Sequence, residues 1–209
     1  MTPCSPSSAS IIVENLIRTA NYVASVADRQ VELRALVTDL LAGVDSCVLE
    51  IGCGHGHFLS AYAAAYPSKL CIGIDIISDR IDRANRKKDR ARLGNLHFIH
   101  ANADDLLASL PSNLKFSEVF VLFPDPWPKR RHHKNRLIQP DFLLALRQRV
   151  GEGARLYFRT DDENYFAAAV LVVKAHPAWE ISTDSWAFEC ETVFQERASG
   201  FQSLVVQPK

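Results

Sequence analysis

The chain has 209 residues, 47% hydrophobic and 23% charged, enough for one well-filled domain and short for two, which excludes a disordered or fibrous protein. Its 24 basic and 24 acidic residues give a formal charge of zero, which excludes a uniformly basic nucleic-acid binder. The zero hides two opposed blocks. Arg80 to Arg92 and Lys129 to Arg136 together hold 12 basic residues against two acidic ones, a net +10, and the rest of the chain holds 12 against 22.

Residues 1–10 read as a polar tail containing Pro and Ser, and residues 11–209 as a single domain. From Ile11 to about Leu41 apolar residues recur every three or four positions, the spacing of one or two amphipathic helices. A short apolar run, Cys47 to Ile51, then predicts a strand, followed by a glycine-rich turn, a helix from Leu59 to Tyr66 closed by Pro67, and a second strand from Leu70 to Ile74. The alternation continues with a basic helix (Ser78 to Arg92), a strand (His97 to His100), a short helix (Asp104 to Leu110) and a strand (Val119 to Phe123). Further on come a helix near Gln139 to Val150, a strand from Ala154 to Arg159, a helix from Glu163 to Ala175, and strand-like pieces at Trp179 to Thr183 and Ser203 to Val206. Alternating units of this size predict an α/β fold, a mostly parallel, doubly wound, Rossmann-like sheet covered by helices on both faces. Ligands of such sheets bind beyond the carboxyl ends of the strands, so the residues that follow the strands carry the functional reading.

Five cysteines (Cys4, Cys47, Cys53, Cys71 and Cys190) contain no C-x-x-C pair, so neither a disulfide framework nor a zinc ribbon is indicated and a cytoplasmic setting is expected. The N-terminus lacks a basic then apolar leader, and no apolar run approaches the ~18 residues of a membrane span. No membrane partner is expected.

The first strand runs into Glu50-Ile51-Gly52-Cys53-Gly54-His55-Gly56. Glycines at this turn let a ligand approach the backbone and the following helix start. The dinucleotide fingerprint G-x-G-x-x-G is not met, and Glu50, read as lying inside the turn, would oppose a phosphate. No Lys-Ser or Lys-Thr follows, which excludes a P-loop. The second strand ends on Gly73-Ile74-Asp75, an acid placed to accept hydrogen bonds from both hydroxyls of a ribose. With Glu50 available to an ammonium group, the pair points to S-adenosylmethionine. His55 and His57 beside Cys53 would suit a metal only with convergent partners, and loop histidines facing solvent are the expected arrangement, with no metal.

The fourth strand leads into FPDPWPKRRHHKNR, residues 123–136. Prolines on both sides of Asp125 stiffen the backbone and remove N–H donors, Trp127 offers a flat surface, and the basic run offers phosphate contacts. A rigid acid immediately before a basic run is read as a reactive centre beside a nucleic-acid surface. The basic helix contains one favourable spacing-four pair, Asp82 with Arg86, too little to explain seven basic residues by helix stabilisation. Trp179, Trp186, Phe188 and Tyr165 are read as packing residues.

These motifs, with Gln139-Pro140-Asp141-Phe142-Leu143 and Thr160-Asp161 with Tyr165, resemble the TrmB family of tRNA (guanine-N7)-methyltransferases over residues 47–197. The resemblance implies an S-adenosylmethionine-dependent fold and methylation of N7 of the variable-loop guanosine at position 46 of tRNA. It implies cofactor contacts by Glu50, Gly52, Gly54, Asp75, Asn102, Ala103 and Asp125, with Asp125 also catalytic. It implies substrate contacts by Lys129, Asp161, Thr192, Gln195 and Arg197. The family's Thr-Lys-Phe-Glu motif stands here as Thr192-Val193-Phe194-Gln195, followed by Glu196-Arg197. Those departures keep a second expectation open, a diverged relative with an altered or lost RNA substrate, either an RNA-binding protein or a small-molecule methyltransferase. A monomer or a homodimer fits equally.

Overall fold

The alternating pattern produces a sheet with helices on both faces in the computed structural model of the chain, which describes residues 26–190 and 200–209. Helix α1 is described over residues 26–40 and is followed by β1 (Ser46–Ile51), α2 (His57–Ala65), β2 (Cys71–Asp75), α3 (Ser78–Ala91), β3 (Leu96–His100) and α4 (Ala103–Ser109). Then come β4 (Lys115–Leu122), a 3-10 helix (Arg130–Asn135), α5 (Pro140–Arg147), β5 (Val150–Thr160), α6 (Glu163–Ala175), β6 (Trp179–Ile181) and β7 (Gln202–Pro208). Residues 1–25, with the expected tail and the start of the first helical stretch, lie outside the described residues.

The sheet order among the described residues is β3-β2-β1-β4-β5-β7-β6. The first five strands run parallel, β7 pairs antiparallel with β5, and β6 pairs antiparallel with β7. The chain leaves β1 toward β2 and β3 on one side and returns to β4 and β5 on the other. That reversal opens a crevice above the carboxyl ends of β1 and β4, the usual ligand site of an open α/β sheet.

Strand β1 shows how the two faces are built. Leu49 and Ile51 enter the core under α1, α4, α5 and α6, whereas Val48 enters the core under α2 and α3. The period-two alternation makes both faces apolar, as a strand buried on both sides requires. Leu33 and Val37 seat α1 on the first face, and Phe58, Leu59, Ile81 and Ala84 seat α2 and α3 on the second. Each such buried Leu or Phe contributes about 1.5–3 kcal/mol by leaving water. Trp179, fully buried, donates its indole N–H to the Leu143 carbonyl at 2.8 Å, which ties β6 to α5. Its expected packing role holds.

Two boundaries differ from the sequence reading. Strand β5 begins at Val150, paired with Phe116, and not at Ala154. Gly151 and Gly153 interrupt the apolar pattern there, and Gly153 takes a positive φ of 77°, so the backbone pairing outlasts the side-chain signal. Helix α5 correspondingly stops at Arg147.

Candidate active site

Glu50 lies within β1, paired with Gly73 and Phe120, and not in the turn where the sequence reading puts it. Its side chain is 3% exposed, and Oε2 has no hydrogen-bond partner among the described residues. Burial pushes its carboxyl up to about 8; a hydrogen bond from the Leu59 backbone opposes that shift and the charge of Asp75 adds to it. A buried carboxylate oxygen without a partner is costly, and an ammonium group would satisfy it. The S-adenosylmethionine amino group fits this requirement.

The turn after β1 is held by its own backbone. Gly52 and Cys53 donate to the Ile74 carbonyl at 2.8 and 2.9 Å, and Gly54 donates to Asp75 Oδ2 at 3.0 Å. Asp75, 4% exposed at the end of β2, also accepts from the Ile77 N–H at 2.9 Å through Oδ1, with Arg80 3.6 Å from Oδ2. A carboxylate has about four acceptor positions, so these bonds orient Asp75 and leave capacity for hydroxyl donors. Gly56 is the glycine most constrained by its neighbours: φ is +68°, and a Cβ there would collide with the Phe98 ring of β3. The turn therefore sits directly on the sheet. Asn102 precedes α4 as its N-cap, accepting from the Asp105 N–H at 2.8 Å and donating to Asp105 Oδ2 at 2.7 Å. Ala103 beside it is buried.

Across the reversal, the segment after β4 is strained and tethered. Phe123 and Trp127 have φ of 48° and 47°, a left-handed conformation that is rare for aromatic residues and costs on the order of 1–3 kcal/mol. Each precedes a proline. The Phe123 N–H donates to the Arg159 carbonyl at 2.8 Å, and the Pro126 carbonyl accepts from Arg136 Nε at 2.8 Å. Asp125 stands between these tethers, exposed and with no hydrogen bond or ion pair to the described residues. Asp161 follows β5 in a similar way: exposed itself, it lies between Thr160, fully buried, and Asp162, which caps α6 by accepting from the Tyr165 N–H at 2.6 Å.

The basic run does not form an open loop. It folds into the 3-10 helix, started by a bond from the His132 N–H to the Lys129 carbonyl at 2.7 Å. Lys129, Arg130, Arg131 and Lys134 are exposed, whereas Arg136 is 4% exposed and points inward. Arg136 thus does not stand at the surface with the other cations of the run. On α3 the spacing-four pair that forms is Asp79 with Arg83, not Asp82 with Arg86, and Lys88 meets its neighbour Asp89 at 3.2 Å.

The crevice thus has Glu50, Gly52, Gly54, Asp75, Asn102 and Ala103 on the β1–β3 side and Asp125, Lys129 and Asp161 on the β4–β5 side. Thr192, Gln195 and Arg197 lie outside the described residues. Among the described residues no group of three or more His, Cys, Asp or Glu side chains could hold a metal ion. His55 and His57 are exposed, in edge contact with ring centroids 6.4 Å apart. No helix among the described residues is long and apolar enough to cross a membrane.

Sequence reasoning missed Arg159. It is 4% exposed, forks both terminal nitrogens onto Glu189 at 3.0 and 2.8 Å, and donates Nε to Ser203 Oγ at 2.9 Å. Trp186 and Phe201 lie against its guanidinium with ring centroids at 4.0 and 4.5 Å. The sequence signal was a lone cation inside an apolar strand, Leu-Tyr-Phe-Arg-Thr, with nothing local to show its partners.

Comparison with known proteins agrees with this architecture. Residues 45–203 match the Methyltransf_4 family, described as "Putative methyltransferase". The chain is 35% identical over 138 residues to the tRNA (guanine-N(7)-)-methyltransferase of Thermosynechococcus vestitus, covering 66% of this chain and 65% of that protein. It is 35% identical over 154 residues to the protein of the same name from Rhodospirillum rubrum, covering 74% and 58%. A third of that name, from Hyphomonas neptunium, is 34% identical over 187 residues, covering 88% and 82%. The chain therefore spans less than two thirds of the length of the first two relatives. Among solved structures, the aminoglycoside resistance methyltransferase NpmB1 superposes with a TM-score of 0.58 at 19% identity, covering 84% of this chain and 93% of that one. The ribosomal protein L11 methylase of Lactobacillus delbrueckii subsp. bulgaricus gives 0.55 at 16%, covering 87% and 79%. At these identities the likeness is one of fold.

Proposed function

The chain belongs to the tRNA (guanine-N(7)-)-methyltransferase family, and from that membership we propose that it methylates N7 of a guanosine in the variable loop of tRNA, using S-adenosylmethionine. The observation that carries the reading is the pairing, across one crevice, of a buried Glu50 oxygen beside Asp75, unpartnered among the described residues, with a rigid, proline-bounded Asp125 next to exposed cations.

S-adenosylmethionine, when bound, supplies an electrophilic methyl group on a sulfonium. Glu50 holds the amino group of its tail, Asp75 takes the ribose hydroxyls, and Gly52 and Gly54 leave room for the chain between them. Asn102 and Ala103 border the adenine. N7 of guanine carries a free lone pair, so its attack needs alignment and no proton removal. Asp125 aligns the two reactants, and Asp161 hydrogen-bonds the guanine edge or offsets the positive charge that develops on the ring. Thr192, Gln195 and Arg197 complete the substrate contacts in the same reading, within one domain from residue 11 onward.

N7 in an A-form helix lies in a deep, narrow groove, which favours a base in a loop. Lys129, Arg130, Arg131 and Lys134 on one side and the cations of α3 on the other meet the phosphates around it. Labelled methyl transfer to unmodified tRNA, followed by borohydride and aniline cleavage, tests the reading. Cleavage at one variable-loop guanosine is expected, and no labelled product overturns it.

A further inference from the structure

Arg136 is the member of the basic run that turns inward, and its guanidinium joins the two loops that carry Asp125 and Asp161. Nε donates to the Pro126 carbonyl at 2.8 Å, one residue beyond Asp125. Nη2 donates to Asn164 Oδ1 at 3.1 Å and lies 3.8 Å from Asp162 Oδ1, one residue beyond Asp161. The guanidinium carbon lies over the Tyr165 ring, 4.8 Å from its centroid, and the Tyr165 hydroxyl accepts from the Ile138 N–H at 3.1 Å, which fixes the chain just past Arg136.

We infer that Arg136 is a positioning residue, which sets the Asp125 loop against the Asp161 turn without touching either reactant. Pro124, Pro126 and Pro128 offer no N–H, and the loop is held by the Phe123 bond to Arg159, by ring contacts of Phe123 with Phe201 and of Trp127 with His132, and by Arg136. Neither Asp125 nor Asp161 is tethered by its own side chain among the described residues. Their separation therefore depends on their neighbours, and one rigid fork holds a neighbour of each. A lysine ammonium is a point charge on a flexible stem and cannot hold both sides in the same plane.

The inference rests on the reading that Asp125 and Asp161 serve methyl transfer. A rival exists on the same side chain: Nη1 is buried without a hydrogen-bond partner among the described residues, beside a cleft of about 520 Å³ bordered by Arg130, His133 and Asn164. A phosphate oxygen could approach there. Salt dependence separates the two roles, because removing one cation from a phosphate lowers the slope of log K against log[salt] by about 0.7–0.9.

The test uses the full chain with Arg136→Gln, Arg136→Lys, Asn164→Ala and the exposed Arg131→Gln. Steady-state kinetics, thermal melting and tRNA affinity from low to high salt are measured for each. Positioning predicts that Arg136→Gln lowers kcat by about 100-fold at saturating substrates, the cost of roughly 1 Å of misplacement, with an unchanged salt slope. Arg136→Lys restores little of that loss, and Arg131→Gln reduces the slope. Asn164 is on the surface, so Asn164→Ala keeps the fold if Arg136→Gln does not, and it lowers kcat by a smaller factor with unchanged KM for tRNA. A kcat within twofold of wild type in Arg136→Gln, or in Asn164→Ala where the former does not fold, overturns the inference. So does a slope reduced by about one with normal kcat, which identifies a phosphate contact. A wild-type protein that methylates no tRNA overturns the functional reading, and the inference with it.

Discussion

Glu50 and Asp75 stand on adjacent parallel strands, and the Asp75 charge adds to burial in holding the Glu50 carboxyl at about 8, well above its ordinary 4.5. The folded chain therefore binds a proton that the unfolded chain releases near 4.5. Because the folded value is raised, this contribution to stability is fully present below about 4.5 and is lost as pH rises through about 8. The melting temperature of the free protein should decline over that window, and Glu50→Gln should flatten the decline.

The same proton reports on the ligand. An ammonium beside Glu50 favours the carboxylate, so S-adenosylmethionine binding at neutral pH should release close to one proton. Calorimetry in buffers of different ionisation heat measures that number directly. Glu50→Gln should release none and bind more weakly; a wild-type heat independent of buffer would sink the assignment of Glu50 to the amino group.

Asp125→Asn and Asp161→Asn keep the shape of each side chain and remove its charge. Both residues are exposed, so stability should move by no more than about 0.5 kcal/mol. Turnover should fall by about 100-fold in each, the usual scale for losing one placed electrostatic group. A wild-type rate in either variant removes that residue from the mechanism.

Arg159→Met retains bulk and releases Glu189, Ser203 and the two aromatic faces from the guanidinium. Truncating a buried charged partner costs about 3–5 kcal/mol, although the exposure of Glu189 places this case toward the lower end. Faster hydrogen exchange is expected across Trp186 to Glu189, with shifted Trp186 fluorescence. Unchanged exchange there would show that β7 and the aromatic cluster suffice without Arg159.

Gly56→Ala should destabilise the fold by roughly 1–3 kcal/mol, since it adds left-handed strain to a clash with Phe98. Phe98→Leu removes the ring from the path of that methyl, so urea unfolding of the double variant should show less loss than the two single variants summed. Strict additivity would place the strain in the backbone alone.

Much of the architecture is written locally. Short apolar runs at Cys47 to Ile51 and Leu70 to Ile74 announce strands buried on both faces, because side chains alternate faces and both must then be apolar, and the basic stretch from Ser78 announces α3. The glycines after β1, Asp75 at the end of β2 and the proline-bounded Asp125 are likewise legible, because a left-handed turn calls for glycine and flanking prolines mark a stiffened loop. Sequence alone thus determined the order of strands and helices and the strand ends at which the candidate residues sit.

Burial and long-range partners are the terms that local pattern lacks. Arg131 and Arg136 look alike in a basic run, yet one is exposed and the other is enclosed by Pro126, Asn164 and Tyr165, which arrive from α6 and the loop after β4. Strand β7 comes last in the chain but pairs between β5 and β6, and that insertion brings Ser203 and Phe201 to Arg159. Glu50 is an ordinary acid in the sequence; enclosure by both sheet neighbours and the Asp75 charge makes it a proton carrier near neutral pH. The residue types that supply the chemistry are set by the sequence, whereas tertiary structure decides which charges keep their water, because desolvation depends on what every other element places around them.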